Sequence, residues 1–549
     1  MNRLDAGSDD LANRRQSDSD NKTAHNLFSD LWRDTEADLP APLSLAAARA
    51  QSEHSKNRHP RNEEENDDDD VTEDDEHEED ETNALAARQA RGGKDEDDEM
   101  PEGKQKGADS SRSTKEPDGK LFFGVLHGHS VYSDGMCKPS ELFKSAKEQN
   151  IDFASITDHS HDTARQGVKP DNPRFAEQAK VPLISTAPQL YNATRDAADK
   201  ASEDGKFVAI TGVEMGTIGK PGKPGLAGVN HINIFEMKEF IESVKGGRVP
   251  KRAIETGHVP EEEEFEKPEV FKIKDGDYKA LVERLEQTTD STGGRAVIQL
   301  NHPRWAQDED PKLDDDVRGR DFGQKSFDDQ DEWRERFGKF ATQMEILSGE
   351  ALKEQQTGEF PSQHVHAKDF AGYIEKGLHI SPTFGRDSHY CDLYGTPAAT
   401  GVLAEGLSRK GIMDALRERR TIATSNKDAL AGYIMMNDQH LMGSIVDEND
   451  SPNVHITVTV GGDLKPDAKY TAILWGDPDI GDGELAEKMQ TVHISGEDLL
   501  ASKGKIDFDE LEHTAGKKSA YYVEVQRRTD ESRQPARMWT APVWVEPKN

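Results

Sequence analysis

Residues 127–135 read HGHSVYSDG, which sets His127 and His129 two apart at the end of the apolar run LFFGVL, with Asp134 five residues beyond His129. Side chains at i and i+2 of a strand project to the same face, so two such imidazoles can address one metal ion from one rung of a sheet. Alone, the pair is weak. Further along, Asp158 and His159 close DFASITDH, Glu214 closes KFVAITGVE, His231 opens HINIF, His302 follows RAVIQL, and Asp387 and His389 follow HISPTFG, repeating the i, i+2 spacing. Any one of these histidines is more often a solvated or hydrogen-bonded residue than a ligand. Their ordered return at strand ends makes coincidence a poor explanation. Nitrogen and oxygen donors without thiolates suit zinc, manganese or iron, with zinc the first choice.

Such residues can meet only if the strands that carry them share a mouth. From Leu121 onwards, short apolar runs alternate with helical patterns, as in a β/α protein. Seven strands are expected, at LFFGVLH, DFASITDH, KFVAITGVE, HINIF, RAVIQLNHP, TQMEIL and HISPTFGRDSH. PSELFKSAKEQN, DYKALVERLEQ and SRKGIMDALRERR have helical periodicity, the first with Pro139 near its first turn and the last with Ser408 as N-cap. In closed β/α architectures the catalytic residues gather at the C-terminal mouth of parallel strands. His231 fits that frame least, because it starts its strand. Two charged insertions, around GHVPEEEEFEKPE and DEDPKLDDDVRGRDFGQKSFDDQDEW, are expected as acidic surface excursions.

The chain has 549 residues, enough for two or three domains, and a net charge of -37 that disfavours nucleic acid over most of its surface. Residues 1–118 are polar and poorly patterned, with the like-charge run EEENDDDDVTEDDEHEEDE at 63–81; a disordered acidic arm is expected, with one short amphipathic helix through Leu27, Phe28, Leu31 and Trp32. Its partner is unknown. Residues 119–428 form the α/β region, and 429–549, where VHITVTV alternates apolar and polar residues, form a small C-terminal β-sandwich. No apolar stretch is long enough to span a membrane, and the first residues lack the apolar core of a secretory signal. The two cysteines, Cys137 and Cys391, each follow a metal motif closely; packing as unpaired small hydrophobes is expected, with a redox or ligand role the lesser alternative, and an intracellular, cytoplasmic setting fits slightly better.

The order HGHSVYSDG, TDH at 157–159, GVE at 212–214, His231, NHP at 301–303 and RDSH at 386–389 resembles the polymerase and histidinol phosphatase (PHP) superfamily, with C-terminal additions similar to its CehA/McbA-type metallohydrolases. The resemblance implies a distorted seven-stranded (β/α) PHP barrel and a cluster of up to three divalent metal ions at its mouth. By motif, one ion is expected on His127, His129, Glu214 and Asp387, a second on Asp134, His159 and His389, and a third on Glu214, His231 and His302, with Glu214 as bridge. Asp134 stands where many relatives have histidine, and Asp158 points to the opposite side of its strand from His159, as a supporting residue.

Hydrolysis by a metal-activated water follows from such a site. The leading expectation is a phosphoesterase acting on a small, anionic, phosphorylated molecule, with Arg304 and Arg386 as phosphate or carboxylate contacts and His159 or Asp158 managing the leaving-group proton. A salt-bridge role for either arginine is about equally expected. Hydrolysis of a carbamate, ester or amide is the alternative, and a metal-stabilised scaffold without activity the second. An exonuclease is disfavoured by charge and by the lack of a basic, aromatic-interleaved stripe.

Overall fold

The computed structural model describes residues 117–160, 183–185, 187–216, 231–244, 265–274, 278–303, 331–348, 365–450, 453–529 and 535–548. All fall in one compact unit, Gln105–Asn549. The expected acidic arm and its short helix lie outside the described residues except for 117–118, as do Arg304 and most of both charged insertions.

All seven strands expected to carry the site are present: β1 (Lys120–Val125), β2 (Phe153–His159), β3 (Val208–Gly216), β4 (His231–Phe235), β7 (Val297–Leu300), β8 (Ala341–Ser348) and β9 (Ser381–Gly385). Between β4 and β7 lies an unforeseen parallel pair, β5 (Phe240–Val244) with β6 (Val270–Lys274). The seven lie side by side in the order β1-β2-β3-β4-β7-β8-β9. β2 and β8 are buried along their whole length, including their polar residues.

The strands are not uniformly parallel. β1, β2 and β3 run parallel, as do β7, β8 and β9, but β4 is antiparallel to both β3 and β7. Gly216 at the end of β3 pairs with His231 at the start of β4. Reversing the strand therefore places its first residue at the edge where its neighbours finish, which resolves the misfit of His231. Beyond β1 and β9 the chain forms a parallel bridge between Gly128 and Ser388, with the His129 N–H donating to the Ser388 carbonyl at 2.8 Å.

The helices follow the sequence pattern: α1 (Pro139–Glu148) buries Leu142, Phe143 and Ala146, while the helix at Arg409–Arg417 is capped by Ser408 Oγ on the Gly411 N–H and buries Ile412, Met413 and Leu416. β1 also pairs antiparallel with β10 (Ala399–Ala404), β10 with β11 (Thr421–Thr424), and β11 with the strand Ala536–Thr540. One sheet thus crosses position 428. Past it, strands Ala431–Met436 and Ile456–Gly461 face strands Lys469–Asp477 and Ser519–Arg528 across a core that includes Ile434, Val458, Leu474 and Val523. Among the described residues no helix is long and apolar enough to cross a membrane.

The cysteine expectation is corrected. Cys137 and Cys391, 254 positions apart, are joined in a disulfide with a Cα–Cα separation of 5.1 Å. The fold brings the loops after β1 and β9 together at the mouth. Disulfides persist in oxidising surroundings, so the cysteine argument for an intracellular setting is withdrawn. Reduction, or Cys391→Ser, is expected to cost about 2–4 kcal/mol of stability, read as a lower urea midpoint with dithiothreitol than without it. An unchanged midpoint would show that the bond does not constrain the fold.

Candidate metal centre

Glu214, on β3, is the hub. Its Oε1 lies 3.2 Å from His127 Nε2, 2.9 Å from His231 Nδ1 and 3.4 Å from His302 Nε2. Its Oε2 lies 3.3 Å from His129 Nε2 and 2.9 Å from His159 Nδ1. Five imidazoles from four strand ends thus surround one fully buried carboxylate. The strand register accounts for part of this: His159 and Glu214 are direct partners across β2 and β3.

Three overlapping groups of donors emerge, each with ligand atoms within 4.8 Å of one another: His127, His129, Glu214 and Asp387; His129, Asp134, His159 and His389; and His159, Glu214 and His231. The first has the composition expected from sequence. The second adds His129 to the expected set, and the third has His159 where His302 was expected, with His302 nearby on Glu214. Asp134 reaches His389 Nε2 at 3.3 Å and His159 Nε2 at 3.6 Å.

Several supporting residues were not singled out from sequence. Glu345, within β8, accepts from His127 Nδ1 at 2.7 Å, from the His302 backbone N–H at 2.7 Å and from Gln299 Nε2 at 3.1 Å. Such a bond fixes the tautomer of His127 and leaves Nε2 to face the cluster. Gly385 makes room for it, since a Cβ there would fall 1.8 Å from Glu345 Oε1. Asn301 donates to Glu214 Oε1 at 2.9 Å. The one charged residue in the strand TQMEILS was the available signal for Glu345, and Asn301 was visible as the first residue of the NHP motif, although no role was attached to it.

Asp158 faces away from the cluster. It accepts from the Ser130 N–H at 2.7 Å and from the Ser130 and Ser133 hydroxyls at 2.6 Å each, holding the turn between His129 and Asp134. Arg386 is buried and donates to the Asp392 carbonyl at 2.5 Å, with the Asp392 carboxylate 3.2 Å away; it therefore braces the loop after β9. Arg304 is among the residues not described. His302 and Asp387 have φ of +24° and +53°, conformations that cost of order 1–3 kcal/mol in non-glycine residues and survive only where surroundings enforce them.

Electrostatics fit a cation cluster. Burial works against the charged form of every member, yet mutual attraction prevails in most. Glu214 is held well below the usual carboxylate range by His231, His127 and His159, and Asp387 and Asp134 are lowered likewise by their imidazole neighbours. Against burial, the surrounding carboxylates raise His127, His159 and His302, and Asp134 with Asp387 raises His389 to about 9. Only His231 moves down, through burial. The carboxylates thus demand positive charge, which bound metal ions would supply in place of imidazole protons. Two fully buried atoms facing the cluster, His127 Nε2 and Glu214 Oε2, make no hydrogen bond among the described residues. Donors left in this state suit a metal.

Residues 126–328 match the PHP domain family. The PHP match runs from His127 through His302 and stops short of Asp387 and His389. No curated protein matches the chain. Similar solved structures include a two-domain protein from Bacteroides vulgatus described as containing a PHP-like metal-dependent phosphoesterase, at 16% identity over 76% of this chain and 94% of that one, TM-score 0.32. Another, from Bifidobacterium adolescentis and described as a metal-dependent phosphoesterase, has 12% identity over 54% and 94%, TM-score 0.24. An amidohydrolase from Chromobacterium violaceum has 14% identity over 49% and 87%, TM-score 0.22. The PHP domain and the donor clusters together support a metal-dependent hydrolase.

Two outcomes follow from this geometry. In metal-free protein the raised histidines contribute stability that is complete below their unfolded value of 6.5 and lost as pH rises through their raised values, about 9 for His389, while the lowered carboxylates contribute stability that is present above about 4 and lost in acid. Thermal melts of chelated protein should therefore peak between pH 4 and 6.5; stability that climbs from pH 6 to 9 would contradict the charge assignment. Glu345→Gln should weaken metal binding about 10–100-fold, measured by competition with a chromogenic chelator.

Proposed function

We propose that the protein is a phosphoesterase that cleaves a small phosphorylated substrate at a centre of up to three divalent ions, zinc being the first choice. The observation that carries this reading is the sharing of His129, His159 and Glu214 among three donor groups, which sets neighbouring cation positions side by side. Ions so placed supply an activated water and neutralise charge on the oxygens of an in-line displacement. We read the seven strands that hold them as a distorted barrel of the PHP type with a CehA/McbA-like C-terminal addition.

The chain's own residues define the approach. Glu214, His127 and His129 have no exposed surface and form the floor, whereas the side chains of Asp134, Asp387 and His389 are 22%, 28% and 26% exposed and face solvent. An anion enters from that side. Three divalent ions would outweigh the carboxylates Asp134, Glu214 and Asp387, and still do so when Glu345 is included, which leaves an anion-attracting spot in a chain of net charge -37. His159 turns Nδ1 to Glu214 and Nε2 to Asp134, so both nitrogens are committed to holding the cluster. Asp158 is committed to the 130–133 turn. Among the described residues, neither of the two groups expected to manage the leaving-group proton is therefore left for that role.

Metal-loaded protein assayed on p-nitrophenyl phosphate, bis(p-nitrophenyl) phosphate and an aryl carbamate should cleave the phosphoesters. Glu214→Gln and His302→Ala should lower turnover about 100-fold or more while the circular dichroism spectrum is retained. Cleavage of the carbamate alone would replace the phosphoester reading with carbamate, ester or amide hydrolysis. Undiminished turnover in Glu214→Gln would remove the metal centre from the chemistry, and no turnover of any substrate would favour a scaffold.

A further inference from the structure

At the other end of β7 from the metal centre lies a cavity of about 540 Å³ whose walls include Arg295, Arg417, Arg419 and Arg420, one carboxylate, Glu418, which is paired with Arg420, and Met442 and Ile445 on its apolar side. Arg295 stands two residues before β7 and His302 two residues after it, so the cavity and the cluster are separated by about 20 Å of nearly extended chain. The other three arginines come from the segment that leaves the helix Arg409–Arg417 and enters β11.

Four guanidinium groups in one cavity are notable in so acidic a chain, and their partners divide them into two kinds. Arg417 is paired with Asp290 and Asp414, and Arg420 with Glu418 at 2.8 Å. Arg295 donates to the Arg417 carbonyl at 3.1 Å, and Arg419 donates to the Gly443 carbonyl at 3.1 and 3.0 Å while lying 5.6 Å over the Trp544 ring. Among the described residues, no carboxylate comes within ion-pair reach of Arg295 or Arg419. Partial burial and the Arg417 charge press Arg295 below its ordinary value, and burial with the Arg295 charge takes Arg419 down to about 10, against the smaller opposing pull of the more distant Glu418 and Glu546 carboxylates. Arg419 also holds a left-handed φ of +59°, which fixes its direction at a cost in backbone strain.

We infer that this cavity is a second binding site, for a small organic phosphate, independent of the metal centre. Two guanidinium forks without carboxylate partners match the oxygens of a phosphate group, which would relieve the like-charge crowding between them. Met442 is buried and Ile445 is 46% exposed, so they offer an apolar wall to the organic part of the ligand. The volume suits a ligand with an organic body, since pockets of about 300–1,000 Å³ accommodate molecules of drug size. The inference does not rest on the phosphoesterase reading.

The test is calorimetric titration of the full-length chain carrying Glu214→Gln, so that the metal centre does not compete, with phenylphosphonate and with inorganic phosphate. Saturable binding of phenylphosphonate, tighter than that of phosphate, is expected, together with a change in Trp544 fluorescence. Adding Arg295→Gln or Arg419→Gln should weaken it about tenfold. Arg295 makes a single carbonyl contact, so its variant should fold normally even if that of Arg419 does not. Absence of saturable binding, or binding unaltered by Arg295→Gln, would overturn the site; equal affinity for inorganic phosphate would overturn the organic ligand.

Discussion

Burying a carboxylate in an apolar interior is costly unless positive charge or hydrogen-bond donors surround it, and Glu214 has no exposed surface at all. Its five imidazole neighbours and the amide of Asn301 answer that cost. Two of these neighbours are themselves held from behind: His127 by Glu345, and the turn after His129 by Asp158. Removing Glu214 would leave several imidazoles crowded together without their common counter-charge. The order of the strands, the strained backbone at His302 and Asp387 and the tight approach at Gly385 are all explained by the need to crowd donors around this one group.

Strand direction is the architectural counterpart of that constraint. A uniformly parallel arrangement would deliver His231 to the far end of the sheet, whereas the reversal of β4 brings it within 2.9 Å of Glu214. The same sheet continues from β1 through β10 and β11 into the strand Ala536–Thr540, so part of the region beyond residue 428 is joined to the donor-bearing strands through two intervening strands. Packing in that region buries large side chains such as Trp539 and Trp544.

Much of the centre was legible before any coordinates. Period-two spacing at His127 and His129, and again at Asp387 and His389, announces donors on one face of a strand, and apolar runs ending in Asp158, His159 and Glu214 mark where those strands surface. Strand sense is not encoded in periodicity, so His231 looked misplaced. Glu345 was hidden because a buried strand places its residues on two covered faces, and a single acid there reads as an exception to the pattern. Cys137 and Cys391 follow Asp134 and His389, two residues expected on one ion, so their nearness was implicit in the sequence; their pairing was missed because each cysteine was read by itself as a small hydrophobe. Arg386 shows the opposite difficulty: adjacency to Asp387 in sequence invited a role towards substrate, while the loop folds so that Asp392 takes its charge.

The Cys137–Cys391 bond closes a covalent ring of chain that contains β2 to β9 and every donor from His159 to His389; His127, His129 and Asp134 sit just outside it, on the short stretch leading in. A protease that cuts once within that ring opens it without releasing either piece. Nicked molecules would stay whole on a non-reducing gel and come apart on a reducing one, and the halves of the donor set would stay at high local concentration, ready to regroup.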